Sequence, residues 1–292
     1  MIKNTPTYNL SAFKGSFDAS EFYCNSLNLH VKEHKFTNLP HKHDFYLIMI
    51  VTGGTGWHEI DFKRHEVRKG SVFMMQPGQM HYWKLSDDIS GYVFFHSPTF
   101  YNEGYTMANI QNFDFFKSFQ SSPSLKLSKQ QLTKLCTWME EIIQEYTNPN
   151  KYVFEKVHAL INIIYIELSR NYIKHDVSTK QSYLHKLHEF ELLIENNFKK
   201  NKSASSYATQ LNISEKHLNR ITRECLNKTS TQLITDRIIL EAKRLLIQTK
   251  LNVSQIGYEL GYADNSYFVR LFKKHTKETP LLFLKRQNNK IY

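Results

Sequence analysis

The chain has 292 residues, 41% hydrophobic and 14% aromatic, which suits two folded domains and excludes a disordered polymer. Its net charge of +11 is uneven: residues 1–181 carry 19 Lys+Arg against 17 Asp+Glu, whereas residues 182–292 carry 19 against 10. That asymmetry, the lack of a run of about 18 apolar residues and three scattered cysteines (Cys24, Cys136, Cys225) exclude a membrane span, a disulfide framework and a zinc finger, and predict a soluble, unexported, cytoplasmic protein whose basic third meets a polyanion.

Residues 1–110 read as a small β-barrel. His41–Val51 is an apolar run ending at the Gly53-Gly54 turn, and Trp57–Val67 alternates. Lys69-Gly70 and Pro77-Gly78 then punctuate further short β-rich runs up to His96, at the spacing of a barrel or sandwich. Residues 111–171 switch to helical period. Ser128 and Gln131 form a capping box for a helix carrying Leu132, Leu135, Met139 and Ile142, and a second helix follows the Asn148-Pro149-Asn150 break. Ile163, Ile164, Tyr165 and Ile166 make that second helix apolar nearly all round, so this segment reads as a dimerisation seam and, alternatively, as a cover for the barrel. Polar residues 172–182 read as a linker, and residues 183–292 as an all-helical domain.

That last domain holds a weak repeat. Tyr207–Cys225 and Ile256–His275 both read as a short helix, a turn, an N-cap and a second helix; aligned on Ser214 and Asp264, they are offset by 50 residues throughout. In each second helix the apolar positions (Leu218, Ile221 and Cys225; Phe268, Leu271 and Phe272) should be buried, leaving a polar and basic face for a major groove. Lys216, Asn219 and Arg220, and in the second unit Asn265, Val269 and Arg270, are the candidate base contacts. Ser214, Arg223, Ser266, Lys273 and Lys274 are the candidate phosphate contacts. Between the units, Thr229–Gln248 carries a capping box and no internal Gly or Pro. About eighteen helical residues there, spanning roughly 27 Å at 1.5 Å per residue, can set two recognition helices one DNA turn apart on an asymmetric site.

These residues carry a resemblance. Arg237, Ala242-Lys243-Arg244-Leu245-Leu246, Ile256, Leu260-Gly261-Tyr262, Asp264, Ser266-Tyr267-Phe268, Arg270, Phe272-Lys273-Lys274 and Thr279-Pro280 look like the signature of the AraC/XylS family of bacterial transcription regulators. The resemblance implies binding to double-stranded promoter DNA, contact with RNA polymerase, a small-molecule effector, a homodimer and activation of transcription. Two departures stand out: Asn227 and Lys277 occupy positions just past a recognition helix where the family usually has Gly. Asn tolerates a left-handed backbone well, and Lys does so at a cost of roughly 1 kcal/mol.

His41-x-His43 and Pro77-Gly78-x-x-His81 resemble the two short motifs of cupins, so the fold class implied is α+β multidomain: a cupin-like barrel, two following helices and a double helix-turn-helix domain. Leu47 stands near the position where metal-binding cupins place a Glu. His41, His43, Phe45 and Leu47, sharing one strand face, and His81 are therefore read as lining a metal-free effector pocket. No cofactor or catalytic residue is expected, because the sequence offers no nucleophile-base pair, phosphate loop or HExxH. The alternative is a cupin metalloenzyme or metal sensor using His41, His43 and His81, with an accessory DNA-binding domain.

Overall fold

The computed structural model describes residues 6–13, 21–35, 39–103, 110, 113–116, 118, 121–172 and 181–291, apart from the side chains of 181, 290 and 291. They form two compact units, 6–172 and 181–291. Residues 173–180 of the stretch read as a linker lie outside the described residues.

The first unit contains β1 (Thr7–Tyr8), β2 (Phe22–Ser26), α1 (Leu27–Glu33), β3 (Lys42–His43), β4 (Tyr46–Gly53), β5 (Thr55–Ile60), β6 (Lys63–Arg68), β7 (Ser71–Met75), β8 (His81–Leu85), β9 (Ser90–His96), α2 (Pro98–Glu103), β10 (Ser124–Lys126), α3 (Lys129–Thr147) and α4 (Val153–Tyr172). One sheet runs β10-β7-β4-β9-β2, a second runs β6-β5-β8, and β1 pairs with β3 in parallel. Strand β4 explains the architecture. Its Leu47, Met49 and Val51 enter the barrel core with Phe73 and Met75 of β7, Phe95 of β9 and Trp83 of β8. Its Tyr46, Ile48 and Ile50 enter a second core with Met74, Phe94, Met139 and Ile142 of α3 and Ile161, Ile164 and Tyr165 of α4. A strand buried on both faces reads as a continuous apolar run, which is how Phe45–Val51 reads.

The apolar surface of α4 that suggests a dimer seam is therefore used mostly on the sheet. Ile164, Tyr165 and Leu168 are buried, and only Ile163 and Ile166, each 39% exposed, remain outside. The alternating run Trp57–Val67 is a hairpin of β5 and β6. Asp61 (φ 45°) and Phe62 (φ 70°) make its turn without a glycine. The Asp61 carboxylate accepts from the Met80 amide and from Gln79 Nε2, each at 3.2 Å, and so holds that backbone. Elements β2, α1 and α2 had no clear signal in the sequence.

The second unit contains α5 (Gln181–Asn197), α6 (Ala204–Gln210), α7 (Glu215–Leu226), α8 (Ser230–Gln248), α9 (Val253–Glu259), α10 (Asn265–Thr276) and α11 (Pro280–Ile291). The Thr229–Gln232 capping box is formed, and α8 buries Leu233, Ile234, Ile238, Ala242 and Leu246. Arg237 is buried at its middle, where its guanidinium donates to both Glu195 oxygens (2.6 and 2.7 Å) and to Glu241 (2.9 Å) and stacks 4.1 Å over Phe198.

The second core of the first unit contains a buried polar pair. His96 Nδ1 donates to the Ser97 carbonyl at 2.7 Å, which leaves Nε2 to accept from the Tyr165 hydroxyl at 2.6 Å. Tyr165→Phe strands that buried acceptor, so denaturant unfolding should show a loss of about 1–3 kcal/mol.

Candidate nucleic-acid interface and barrel interior

Both helix-turn-helix units start from a capped first helix, on Ser203 for α6 and on Asn252 for α9. Each turns through a left-handed residue, Asn212 (φ 55°) or Gly261 (φ 77°). The offset is 49 residues between α6 and α9 but 50 between α7 and α10, so the second turn is one residue longer. This corrects the constant offset read from the sequence. It also explains how the recognition helices stay in register while the turns differ.

Ser214 Oγ caps α7 by accepting from the His217 amide at 3.2 Å, and Asp264 caps α10 by accepting from the Ser266 amide at 2.8 Å. Leu218 and Ile221 of α7 and Phe268 and Phe272 of α10 are buried. Cys225 and Leu271 are only half-buried. Lys216, Arg220 and Arg223 are exposed on α7 at i, i+4, i+7, and Ser266, Arg270 and Lys273 are exposed on α10 at the same spacing, with Lys274 beside them. The Arg220 guanidinium lies 5.7 Å over the Tyr183 ring, and Arg270 faces Asp264 at 3.9 Å with both side chains in solvent. Val269 is half-buried.

The two asparagines need correction. Asn219 Oδ1 accepts from both the amide and the hydroxyl of Ser230, each at 3.0 Å, and so ties α7 to the start of α8. Asn265 Oδ1 is buried, has no hydrogen-bond partner among the described residues and is turned toward Gly257. A bidentate adenine contact needs both ends of the carboxamide, which neither side chain presents. The two glycine departures are accommodated. Asn227 (φ 52°) and Lys277 (φ 68°) both sit in the left-handed region as helix C-caps.

In the first unit, His41, His43, Phe45, Leu47 and His81 are all buried and come together inside the barrel. The His41 and His81 rings lie 4.2 Å apart, and His43 stacks on Phe45 at 4.2 Å. Three further histidines join them that sequence reasoning missed: His30 and His34, one helical turn apart on and just after α1, and His58 on β5. Their signal was the i, i+4 spacing of the first pair and the inward parity of His58. His41 Nδ1 donates to the Leu39 carbonyl (2.8 Å) and His43 Nδ1 to the Phe45 carbonyl (2.9 Å), while one hydrogen bond of 2.8 Å joins His58 Nε2 and His81 Nδ1. Tyr23, which accepts from Asn25 at 3.2 Å, donates to His30 Nδ1 at 3.0 Å.

The ring set is electrically neutral. Burial holds His30 and His43 down to about 3, with neighbouring histidines adding to the shift, and holds His41 down to about 4. Burial also keeps His58 and His81 well below the usual histidine value. Among the described residues no group of three or more His, Cys, Asp or Glu is placed to hold a metal ion, and no helix is long and apolar enough to cross a membrane.

Residues 207–286 match a family model described as a helix-turn-helix domain, and residues 29–160 match one described as an AraC-like ligand binding domain. The chain belongs to the AraC family of transcription regulators. As an AraC-family member it is similar to the transcriptional regulator YfiF of Bacillus subtilis, at 23% identity over 85% of this chain and 79% of that one. It is similar as well to the transcriptional activator RhaR of Mannheimia succiniciproducens (22%; 84% and 87%) and to the activator RhaS of an Enterobacter species (23%; 82% and 85%). Among solved structures, ToxT of Vibrio cholerae bound to an unsaturated fatty acid aligns over 93% of this chain and 96% of that one, at 16% identity and a TM-score of 0.43. The metalloenzyme alternative gains no support: these relatives are named as regulators.

The lowered histidines make the stability of this AraC-type barrel pH-dependent, with a definite sign. In the unfolded chain these rings take up protons below about pH 6.5, whereas in the folded barrel they resist until about pH 3–4. Stability is therefore complete above pH 6.5 and is lost progressively as the pH falls toward 3–4. Trp57, Trp83 and Trp138, the three tryptophans of the chain, all lie in the first unit, so the thermal midpoint by tryptophan fluorescence should drop between pH 7 and pH 5. In the second unit, Lys277→Gly should raise stability by up to about 1 kcal/mol in thermal unfolding followed by circular dichroism, and Asn227→Gly by less.

Proposed function

We propose that this AraC-family protein is an effector-responsive activator that reads two successive major grooves on one face of promoter DNA. The observation that carries the reading is the pair of capped recognition helices, α7 and α10, which present cations at matched positions from the two ends of α8. Helix α8 has 19 residues, which span roughly 28 Å at 1.5 Å per residue; with the width of the units this suits one turn of DNA, about 34 Å. Arg220 and Arg270 are the principal base-reading residues, with Lys216 and Val269 beside them. Ser214, Arg223, Ser266, Lys273 and Lys274 position the backbone. Activation is favoured because the relatives RhaR and RhaS are named as activators.

The barrel interior around His41, His43, Phe45, Leu47 and His81 takes the effector. The buried His43 Nε2 and His81 Nε2, which have no hydrogen-bond partner among the described residues, support that assignment. An effector changes the output only by binding one arrangement of the protein better than another. The protein works in the cytoplasm without catalytic activity, pairs as a homodimer through the exposed Ile163 and Ile166 of α4, and engages RNA polymerase from its DNA-bound state. Arg220→Ala and Arg270→Ala should each cost about 1–3 kcal/mol in promoter binding and relax sequence preference locally. Lys273→Ala should weaken binding evenly across sequences and lower the salt slope by about 1. Unchanged binding in both arginine variants contradicts the reading.

A further inference from the structure

Beside their shared packing on α8, the two helix-turn-helix units touch at a second place away from that helix. The loop between α5 and α6 supplies this contact. Lys202 Nζ donates to the carbonyls of Lys199 (2.8 Å) and Gly261 (3.2 Å) and sits 4.7 Å over the Tyr262 ring. Lys199 pairs with Glu259 of α9 at 2.5 Å. Gly261 lies so close that a Cβ there would collide with the Lys199 carbonyl oxygen, and its φ of 77° disfavours any other residue as well. The same loop is pinned to the first helix-turn-helix. The Tyr207 hydroxyl of α6 donates to the Asn201 carbonyl at 2.9 Å, and Asn201 Nδ2 donates to Ser206 at 3.0 Å.

A continuous path therefore runs from α6, through residues 199–202, to the turn that launches α10. We infer that this loop is a clamp that sets the relative angle of the two recognition helices, and that Lys202 is a positioning residue for half-site spacing. Lys202 need not touch DNA to do this. One inserted base pair moves the second half-site by about 3.4 Å along the axis and about 34° around it, a change that only a rigid pair of helices rejects.

The inference rests on the two-groove reading, and the test separates the two. Sites are selected from random-sequence DNA with the full-length protein. Binding is then compared between the selected site and versions with one base pair added or removed between the protected segments. Wild type should lose at least about tenfold on the altered spacings. Lys202→Ala should narrow that ratio to about threefold or less whatever its overall affinity, while Lys202→Arg, which keeps a cation over Tyr262, should restore most of it. Glu259→Ala removes only the half-exposed ion pair, so folding is not at risk, and should shift the ratio in the same direction by less. A wild-type ratio in both Lys202→Ala and Glu259→Ala overturns the clamp and leaves the two-groove reading standing. Indifference of wild type itself to spacing overturns both.

Discussion

Helix α8 must bury apolar surface against two different units at once, and the arrangement of the DNA-reading half follows from that demand. Leu233, Ile234 and Ile238 lie toward its start, and Ala242 and Leu246 toward its end. Near its middle sits Arg237, a buried charge held by two carboxylates and an aromatic ring. Removing one partner of such a group leaves an uncompensated charge, so the centre of the helix admits few alternatives. Asn219 belongs to the same system. It reaches from α7 to the first turn of α8 and fixes the recognition helix to its support.

The barrel solves a different problem. Its β4 strand has no solvent face: one side joins the histidine-lined interior and the other meets α3 and α4. An interior of neutral imidazoles offers hydrogen-bond donors and acceptors without net charge. That chemistry suits recognition by hydrogen bonding, and it keeps the barrel intact only where the rings stay unprotonated.

Much of this was legible in the sequence because the relevant signals are local. The capping boxes at Ser128 and Thr229, the N-caps at Ser214 and Asp264, and the left-handed positions at Asn227 and Lys277 depend on residues within one turn of each other. What stayed hidden depends on contacts between distant segments. The role of Asn219 required knowing that Ser230 returns to it, and the hairpin at Asp61-Phe62 required the Gln79-Met80 segment beside it. The use of α4 as a cover required seeing that β4 buries both faces. His30 and His58 entered the barrel site only once α1 and β5 were placed against β8.

The central claim is geometric: two recognition helices, held at one separation and one angle, read a single asymmetric site. Hydroxyl-radical footprinting of a selected site by the full-length protein tests it most directly. The account predicts, for each bound protomer, two protected segments about 10–10.5 base pairs apart on the same face of the duplex, with unrelated sequences in the two segments. A single protected segment, or two segments related by a palindrome at that spacing, would contradict it.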